Sequence, residues 1–306
     1  MFNKGLIITN AFTVWDCVHH MVNRIKDEFA QFGIEMDVKS NSDILVYIDS
    51  NGNVNSSKMP YDFIVFLDKD YYISTMLEKA GYRLFNKAES IRYCDDKMLT
   101  HLVLTNHGIK MPLTIPFPLK YAPGDINQFL DNVCNILSFP FIVKEVYGSL
   151  GEQVYLVNNK EELFAAEAKI KDRPHIYQEY IKSSFGKDMR VVVIGGKVVA
   201  HMKRVAQNEG EFRSNIETGG VGLQPELDEV YAQTAIKVAS ILGLDYCGLD
   251  LLYGENDEPI LCEVNANAYL EPIEKYSKKN VAIKYVEHIM KEIYSEVNPL
   301  SWTREI

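Results

Sequence analysis

Strands and helices are predicted to alternate along the first 92 residues. The apolar runs at 5–9 and 62–68 are typical of buried strands, and a helix near 70–80 and a short strand at YRLFN follow the second run. Between the two runs, residues 16–32 carry apolar side chains at helical spacing, namely Val18, Met21, Val22, Ile25 and Phe29. This order predicts a small open α/β lobe.

Turn and cap residues interrupt this pattern at three places. In VYIDSNGNVN, Asn51 and Gly52 predict a hairpin because both residues readily take the positive φ angles of a tight turn. The stretch CDDKMLTHLVLTNHGI predicts one helix, which Asp95 or Asp96 caps and Gly108 ends. The four prolines of MPLTIPFPLKYAPGD then predict an extended connector.

The remaining pattern predicts two further lobes. One has antiparallel strands and contains a helix (124–137), a strand (139–146), a glycine turn (148–151), a strand (153–157), a helix (160–171) and a strand (175–181). The other contains strands at 188–194 and 197–205 joined by Gly195-Gly196, a polar loop (207–220), a helix (226–242), two strands (245–253 and 259–265) and final helices. A chain of 306 residues exceeds what one core usually organises. We therefore expect an α/β (α+β) fold of three lobes, at 1–92, 93–182 and 183–306.

The composition argues against several classes of function. The chain is 47% hydrophobic and 24% charged, as is ordinary for a soluble globular protein, and its net charge of −10 argues against a nucleic-acid partner. No stretch approaches the roughly 20 apolar residues of a membrane span, and GLIITNAF is too short for a signal-peptide core. The cysteines lie far apart and lack CxxC spacing, so we expect reduced thiols in a cytoplasmic protein: Cys17, Cys94, Cys134, Cys247 and Cys262.

Two carboxylates on neighbouring predicted strands suggest a metal site. Glu263 and Asn265 lie two positions apart, so they share one face of their strand. The turn near residue 256 places Asp250 roughly opposite Glu263, where two carboxylates would repel unless a cation lay between them. Oxygen ligands without Cys or His suit Mg²⁺ or Mn²⁺. The alternative is that Asp250 caps a turn and Glu263 pairs with an arginine.

A lysine and a glycine-containing turn suggest phosphate binding. Lys144 ends an apolar strand, and Gly148 and Gly151 form a G-x-x-G turn before the next strand. Glycines let backbone amides approach phosphate oxygens, and the lysine supplies positive charge. The turn is neither a Walker loop nor a GxGxxG motif, so a hairpin with a surface lysine is the alternative.

Three arginines surround the polar loop of the third lobe. Arg190 alternates with Asp188 on one strand, and Arg204 and Arg213 follow along the chain. If these arginines converge, they can stabilise anionic oxygens through bidentate hydrogen bonds. If they do not converge, they are ordinary solvated charges.

The order of these motifs resembles the ATP-grasp superfamily, and FRSNIETGG, GLDLL and CEVNANAYLEPIEK are similar to the RimK-type α-L-glutamate ligase family. The resemblance extends from about residue 90 to residue 295. It implies that ATP lies between the central and C-terminal lobes and contacts Lys97, Lys144, Gly148, Ser149, Gly151, Gln178, Glu179, Tyr180, Ile181, Asp188, Arg213, Ser214 and Asn215. Residues 178–181 would frame adenine, Asp188 would contact the ribose, and Lys97 and Lys144 would contact phosphates or the adenine edge. By the same resemblance, Asp250, Glu263 and Asn265 bind two Mg²⁺ or Mn²⁺ ions, which Glu263 bridges.

The reaction that this resemblance implies joins a carboxylate to an amine. The carboxylate attacks the γ-phosphate to give an acyl phosphate and ADP, and an amine then displaces phosphate to leave an amide. Arg190, Arg204 and Arg213 are the candidates for stabilising the phosphoryl and tetrahedral oxyanions. The Gly148–Gly151 turn is expected to close and exclude water.

The resemblance implies a small-molecule or peptide carboxylate and an amino acid, first of all L-glutamate, as the substrates. D-alanine–D-alanine-like, glutathione-synthetase-like or natural-product peptide ligation remains an alternative, as does a nucleotide-binding module without turnover. A homo-oligomer is also left open. The chain departs from the family at Asn267-Ala268-Tyr269, where members often carry Ser/Asn-Pro-Gly, and at Ser149-Leu150, which separates the two glycines of the turn.

Overall fold

The computed structural model describes residues 4–13, 15–57, 59–148, 151, 153–216 and 219–297. Its strands are β1 (Lys4–Thr9), β2 (Glu35–Ser40), β3 (Val46–Ile48), β4 (Val54–Ser56), β5 (Phe63–Phe66), β6 (Leu84–Phe85), β7 (Thr114–Pro116), β8 (Phe141–Glu145), β9 (Val154–Val157), β10 (His175–Glu179), β11 (Lys187–Ile194), β12 (Lys197–Val205), β13 (Val221–Leu223), β14 (Tyr246–Tyr253) and β15 (Pro259–Asn265). Its helices are α1 (Asp16–Gln31), α2 (Tyr71–Lys79), α3 (Ala88–Asp95), α4 (Lys97–Val103), α5 (Asn127–Ile136), α6 (Lys160–Ile170), α7 (Glu229–Ile241), α8 (Leu270–Ser277) and α9 (Val281–Val297). Short 3-10 turns lie at Asn41–Asp43 and Lys182–Ser184.

The first sheet is parallel and has the strand order β2-β1-β5-β6. Helices cover both of its faces, as is usual for parallel sheets. Ile7 and Phe63 pack with the apolar side of α1, whereas Leu6 and Ile64 pack with Leu77 of α2. The predicted alternation of strands and helices is therefore present, and β3 and β4 form the predicted hairpin.

The second sheet is antiparallel and has the order β7-β10-β8-β9. Helices α5 and α6 cover one face through an apolar cluster that includes Leu130, Leu163 and Tyr177. Because side chains alternate along a strand, Lys144 of β8 and Gln178 of β10 point to the opposite face. This second face forms one wall of the cleft described below.

The third sheet is antiparallel and has the order β13-β12-β11-β14-β15. Gly195 and Gly196, with φ angles of 53° and 74°, turn β11 into β12 as predicted. Helix α7 packs with Val191 and Leu249 on one face, and α8 and α9 pack with Tyr246 on the other.

The first and third sheets share their apolar clusters, since Leu6 lies in one cluster with Leu249. Asn86 also connects them. Its side-chain amide donates to the carbonyls of Tyr246 and Ala266 at 2.8 Å each, and its Oδ1 accepts from the backbone N–H of Asp245 at 2.7 Å. The third sheet is thus fixed against the first lobe, while the lobe boundaries near 92 and 182 remain predictions.

The helix expected from Asp95 or Asp96 to Gly108 is wrong in its extent. Asp96 has extended backbone angles and its side chain accepts a hydrogen bond from the N–H of Leu99 at 2.9 Å, so it separates α3 from α4. Strands β2, β7 and β13 were not predicted, because each is short or has half-exposed polar positions. Within the described ranges, no helix is long and apolar enough to cross a bilayer.

Candidate active site

A cleft of about 220 Å³ is lined by the second and third sheets and reaches the first lobe. It brings together the predicted site residues that the structure describes: Lys97, Lys144, Gly148, Gly151, Gln178, Glu179, Tyr180, Ile181, Asp188, Arg190, Arg204, Arg213, Ser214, Asn215, Asp250, Glu263 and Asn265. Ser149 lies outside the described residues. The three arginines converge on the cleft, contrary to the alternative of unrelated solvated charges.

The two carboxylates lie opposite each other, and an irregularity in the strand pairing brings them there. Asp250 of β14 pairs with Glu263 of β15, and Gly248 pairs with Asn265. A register shift directly after Asp250 leaves Cys262 unpaired, so that Leu251 opposes Leu261. The two carboxylates and the amide therefore lie on neighbouring strands at the cleft.

Both arginines of β11 and β12 bind the same carboxylate. Nε and Nη2 of Arg190 donate to Asp250 at 2.6 Å each, and Nη2 of Arg204 donates at 2.9 Å. Burial alone would raise the pKa of Asp250, but the two guanidinium groups outweigh it and lower this pKa to about 2. Asp250 is therefore ionised at neutral pH, and it lies within a strand instead of capping a turn.

Asp188 also binds an arginine in this structure. Its carboxylate accepts from Nε of Arg204 at 2.8 Å and from Oγ of Ser214 at 2.7 Å. Asp188 is buried, although it lines the cleft. Its contact with a ribose remains a prediction.

Glu263 pairs with a lysine and not with an arginine. Nζ of Lys97 lies 3.3 Å from Glu263 Oε1 and donates to the carbonyl of Gly148 at 2.9 Å. Burial, the largest influence, would raise the pKa of Glu263, but the nearby lysines, Lys97 first, bring it below its usual value. Glu263 is thus an anion whose side chain is still 27% exposed to the cleft.

Lys144 is not the surface lysine of the alternative interpretation, since only 4% of it is exposed. Within the described residues the structure shows no ion pair for its ammonium group. A buried cation without a direct ion pair is unfavourable until an anion binds it. This position therefore suits a phosphate group.

The glycine turn contacts the opposite side of the cleft. Nη1 of Arg213 donates to the carbonyl of Gly151 at 2.8 Å, while its Nε and Nη2 donate to Glu211 at 2.9 and 2.8 Å. Gly151 has a φ of +72°, which favours glycine there. Gly148 therefore contacts Lys97, and Gly151 contacts Arg213.

The far end of the cleft presents polar atoms suited to a base. Gln178 donates from Nε2 to Thr114 Oγ1 at 2.8 Å, and the Thr114 hydroxyl donates to the carbonyl of Pro112 at 2.8 Å. The hydroxyl of Tyr180 is buried and has no hydrogen-bond partner within the described residues. An unpartnered buried hydroxyl beside a cleft is a candidate ligand contact.

The donor set of the third sheet fits a hard divalent cation. Asp250, Glu263 and Asn265 offer only oxygen from side chains that can face one ion. No group of three or more His, Cys, Asp or Glu side chains suited to a metal occurs in the part of the chain that the structure describes. The set therefore has two carboxylates, and the Asn265 amide is its third protein donor.

Sequence reasoning missed the first lobe's share of the cleft. Lys69, which follows β5, lines the cleft together with Asn267 and Tyr269 of the loop after β15. Lys69 could have been found from its place at the carboxyl end of a buried parallel strand. Tyr269 was singled out only as a departure from the family pattern.

A family model described as RimK-like ATP-grasp domain matches residues 94–289. The MG012 homolog of Mycoplasma pneumoniae, an uncharacterized protein, is 33% identical over 296 residues, which cover 94% of this chain and 100% of that protein. Human N-acetylaspartylglutamate synthase A is 39% identical over 201 residues, 65% of this chain and 50% of the synthase. The probable alpha-L-glutamate ligase of Psychromonas ingrahamii is 36% identical over 227 residues, 73% of this chain and 72% of the ligase. The chain thus spans about half the length of the human synthase.

Solved structures agree with this fold. The RimK domain protein ATP-grasp from Sphaerobacter thermophilus superposes with a TM-score of 0.71 at 14% identity, covering 94% of this chain and 99% of that one. The D-alanine–D-alanine ligase from Bacillus anthracis complexed with ATP gives a TM-score of 0.69 at 18% identity, covering 97% and 98%. The predicted ATP-grasp fold is confirmed. The chain belongs to the RimK-like ATP-grasp family of ADP-forming carboxylate–amine ligases.

Proposed function

We propose that the protein joins the carboxylate of a small molecule or peptide to the amine of an amino acid, with ATP as the phosphoryl donor. One observation carries this proposal. Asp250, Glu263 and Asn265 lie on the same wall of the cleft as Arg190 and Arg204. L-Glutamate is the first candidate amine. The names of the human synthase and of the Psychromonas ligase both contain glutamate, which supports this choice.

The chemistry of amide formation explains why the cleft needs cationic side chains on both of its walls. A carboxylate resists attack by an amine because it is anionic and has no good leaving group. Its oxygen therefore attacks the γ-phosphorus of ATP, ADP leaves, and an acyl phosphate forms. The amine then attacks the acyl carbon, the C–O bond to phosphate breaks, and the amine loses a proton to leave an amide. No protein side chain needs to act as a covalent nucleophile.

The arginines and lysines stabilise the charges that develop in these steps. Lys144 binds phosphate oxygens from the second sheet, and Lys97 supports it from α4. Arg190 and Arg204 face the transferring phosphoryl group and the tetrahedral oxyanion, and their hydrogen bonds to Asp250 orient them before the substrates bind. Residues 178–181 are assigned to adenine, and Asp188, Ser214 and Asn215 to the ribose side.

Asp250, Glu263 and Asn265 would hold the two Mg²⁺ or Mn²⁺ ions. When bound, such ions neutralise charge on the transferring phosphoryl group. The protein's own contribution is a wall of oxygen donors whose carboxylates are already ionised, as the low pKa of Asp250 indicates. The Gly148–Gly151 turn and Arg213 would exclude water, which otherwise hydrolyses the acyl phosphate.

The test is ADP release across a panel of carboxylates and amines, with and without Mg²⁺. The panel includes N-acetyl-L-aspartate, citrate and short peptides as acids, and L-glutamate, D-alanine and glycine as amines. We expect release that requires an acid, an amine and the metal, and we expect Glu263→Gln to abolish it while the thermal unfolding midpoint is kept. Unchanged turnover of Glu263→Gln would refute the assigned roles. ATP binding without turnover across the whole panel would favour the non-catalytic alternative.

A further inference from the structure

The strand order of the first sheet reverses between β1 and β5, and this reversal leaves a crevice at the carboxyl ends of the two strands. The chain passes from β1 outwards to β2 on one side, and from β5 outwards to β6 on the other side. The loops that follow β1 and β5 therefore diverge and leave a gap between them. In open α/β sheets, ligands bind in this gap at the carboxyl ends of the strands.

Residues that follow β1, β2 and β5 form hydrogen bonds with one another. Asn10, directly after β1, donates from Nδ2 to Asp68 Oδ1 at 3.1 Å, and Asn41 donates from Nδ2 to Asp68 Oδ2 at 2.8 Å. The backbone N–H of Lys69 donates to the same carboxylate at 2.7 Å. Because Asp68 is buried, these bonds fix the position of Lys69 before any ligand arrives.

The crevice opens onto the candidate active site. Lys69 lines the same cleft as Glu263, and it does so beside Asn267 and Tyr269. The amide of Asn267 donates to the carbonyl of Asp68 at 3.1 Å, which connects the metal-site strand to the crevice. A ligand that reaches Lys69 can therefore have another part near the oxygen donors of β15.

Three of the other cations in the cleft have firmer partners than Lys69. Arg190 and Arg204 share the buried Asp250, and Lys97 pairs with Glu263. Lys69 pairs with Asp95 at 3.0 Å, but 48% of the Lys69 side chain is exposed. A pair this exposed contributes little stability, so an incoming anion can replace Asp95 at a small cost.

We propose that Lys69 binds a substrate carboxylate group that takes no part in the reaction. This inference rests on the proposed function, because both the acid and L-glutamate can carry such a spectator carboxylate. The ammonium group donates charge-assisted hydrogen bonds to it, and the substrate's reacting group extends towards Glu263. Lys69 is then a specificity-determining residue contributed by the first lobe.

The experiment compares Lys69→Ala and Lys69→Arg with the wild type by ADP release. Michaelis constants are measured for the acid at saturating L-glutamate, and for L-glutamate at saturating acid. For Lys69→Ala we expect the KM of one of the two to rise about 10- to 100-fold, as is typical for a lost hydrogen bond to a charged group. The KM for ATP and kcat should stay nearly unchanged, and Lys69→Arg should restore part of the affinity. The substrate whose KM rises is the one that Lys69 binds.

Lys79→Ala is the matched control, because Lys79 ends α2, is exposed and does not line the cleft. Equal effects of the two alanine variants, or unchanged KM values for both substrates, would overturn the proposal while leaving the ligase activity in place. If the wild type ligates no pair of substrates, the proposed function fails first. The inference about Lys69 is then decided by calorimetric titration of L-glutamate and N-acetyl-L-aspartate into the protein with ADP and Mg²⁺. Binding that Lys69→Ala does not weaken, or no binding of either probe, would overturn it.

Discussion

Asp250 binds Arg190 through two parallel hydrogen bonds of 2.6 Å, and a third, from Arg204, connects this pair to Asp188. Positive and negative side chains therefore alternate across three adjacent strands of the third sheet, β12, β11 and β14. Each charge has a counter-charge, so the burial of Asp188, Arg204 and Asp250 is tolerated. The arrangement fixes both guanidinium groups at the cleft before any substrate binds.

The first prediction concerns Asp250→Ala. Removing this carboxylate leaves the buried guanidinium group of Arg204 and the partly buried one of Arg190 without their shared partner, so the free energy of unfolding should fall by about 3–5 kcal/mol. Urea unfolding at pH 7 measures this loss. Glu263→Gln is the control, because Glu263 is more exposed and has Lys97 as its ionic partner. If Asp250→Ala lowers the free energy of unfolding no more than Glu263→Gln does, the stability of the charged cluster does not depend on Asp250.

The second prediction concerns Arg213, which donates to the carbonyl of Gly151. Arg213→Ala removes this contact, so the glycine turn should close less firmly and admit water to the acyl phosphate. We expect ADP release to exceed amide formation in this variant, whereas the two should be nearly equal in the wild type. Quantifying ADP and amide product in one reaction measures the ratio.

Glu211→Gln is a matched control for Arg213. It removes the carboxylate that Arg213 binds but leaves the Gly151 contact possible, so its ratio of ADP to amide should stay closer to the wild type. An unchanged ratio in Arg213→Ala would contradict the role of this contact.

The pairing of β14 with β15 shows how much of the site could be predicted from the sequence. Counting from the turn alone pairs Tyr253 with Pro259 and Leu251 with Leu261, and this count continued would place Cys262 opposite Asp250. The irregularity after Asp250 shifts the pairing by one residue and brings Glu263 into that position. The positions of Asp250 and Glu263 along their strands predicted that the two carboxylates lie near each other. The bulge that pairs them directly has no reliable signal in a single sequence.

Contacts between distant parts of the chain could not be predicted at all. The pairing of Lys97 with Glu263 depends on how α4 packs against β15, and the pairing of Arg190 with Asp250 depends on the order of the strands. Lys69 had no motif around it, because its significance follows from the strand order of the first sheet. Local pattern therefore predicts elements and candidate side chains, whereas the partners of those side chains require the fold.

The third prediction concerns Lys144, whose buried ammonium group has no ion pair in the described part of the chain. Lys144→Met keeps much of the volume and removes a buried charge, so the nucleotide-free protein should unfold at an equal or higher temperature. The same variant should lose most of the thermal stabilisation that ATP and Mg²⁺ give the wild type, because a phosphate contact is gone. Thermal unfolding with and without nucleotide measures both effects.

A large drop in the unfolding temperature of nucleotide-free Lys144→Met would contradict this account. It would mean that the ammonium group stabilises the empty protein. Lys187→Met is a suitable comparison, since Lys187 also lines the cleft but has its ammonium group over the ring of Tyr253 at 5.1 Å. Its change should leave more of the ATP-induced stabilisation in place.

The fourth prediction concerns His101 of α4, next to Lys144. The His101 side chain is buried, its Nδ1 lies 3.3 Å from Thr114 Oγ1, and its Nε2 has no hydrogen-bond partner within the described residues. Burial, and then the charge of Lys144, lower the pKa of His101 from 6.5 to about 4. The imidazole is therefore neutral in the folded protein at pH 5, whereas in the unfolded chain it is protonated.

The sign of the pH dependence follows from this difference. As the pH falls below about 6.5, the unfolded chain binds a proton at His101 that the folded protein does not bind, so stability declines until the pH reaches about 4. Between pH 7 and pH 5 this one group should cost about 2 kcal/mol. His101→Gln should therefore lose about 2 kcal/mol less than the wild type over that interval in urea unfolding. His107→Gln is the control at an exposed position four residues after the end of α4, and it should lose as much as the wild type. Equal losses in all three proteins would show that His101 binds its proton as readily in the folded protein as in the unfolded chain, which would contradict the lowered pKa.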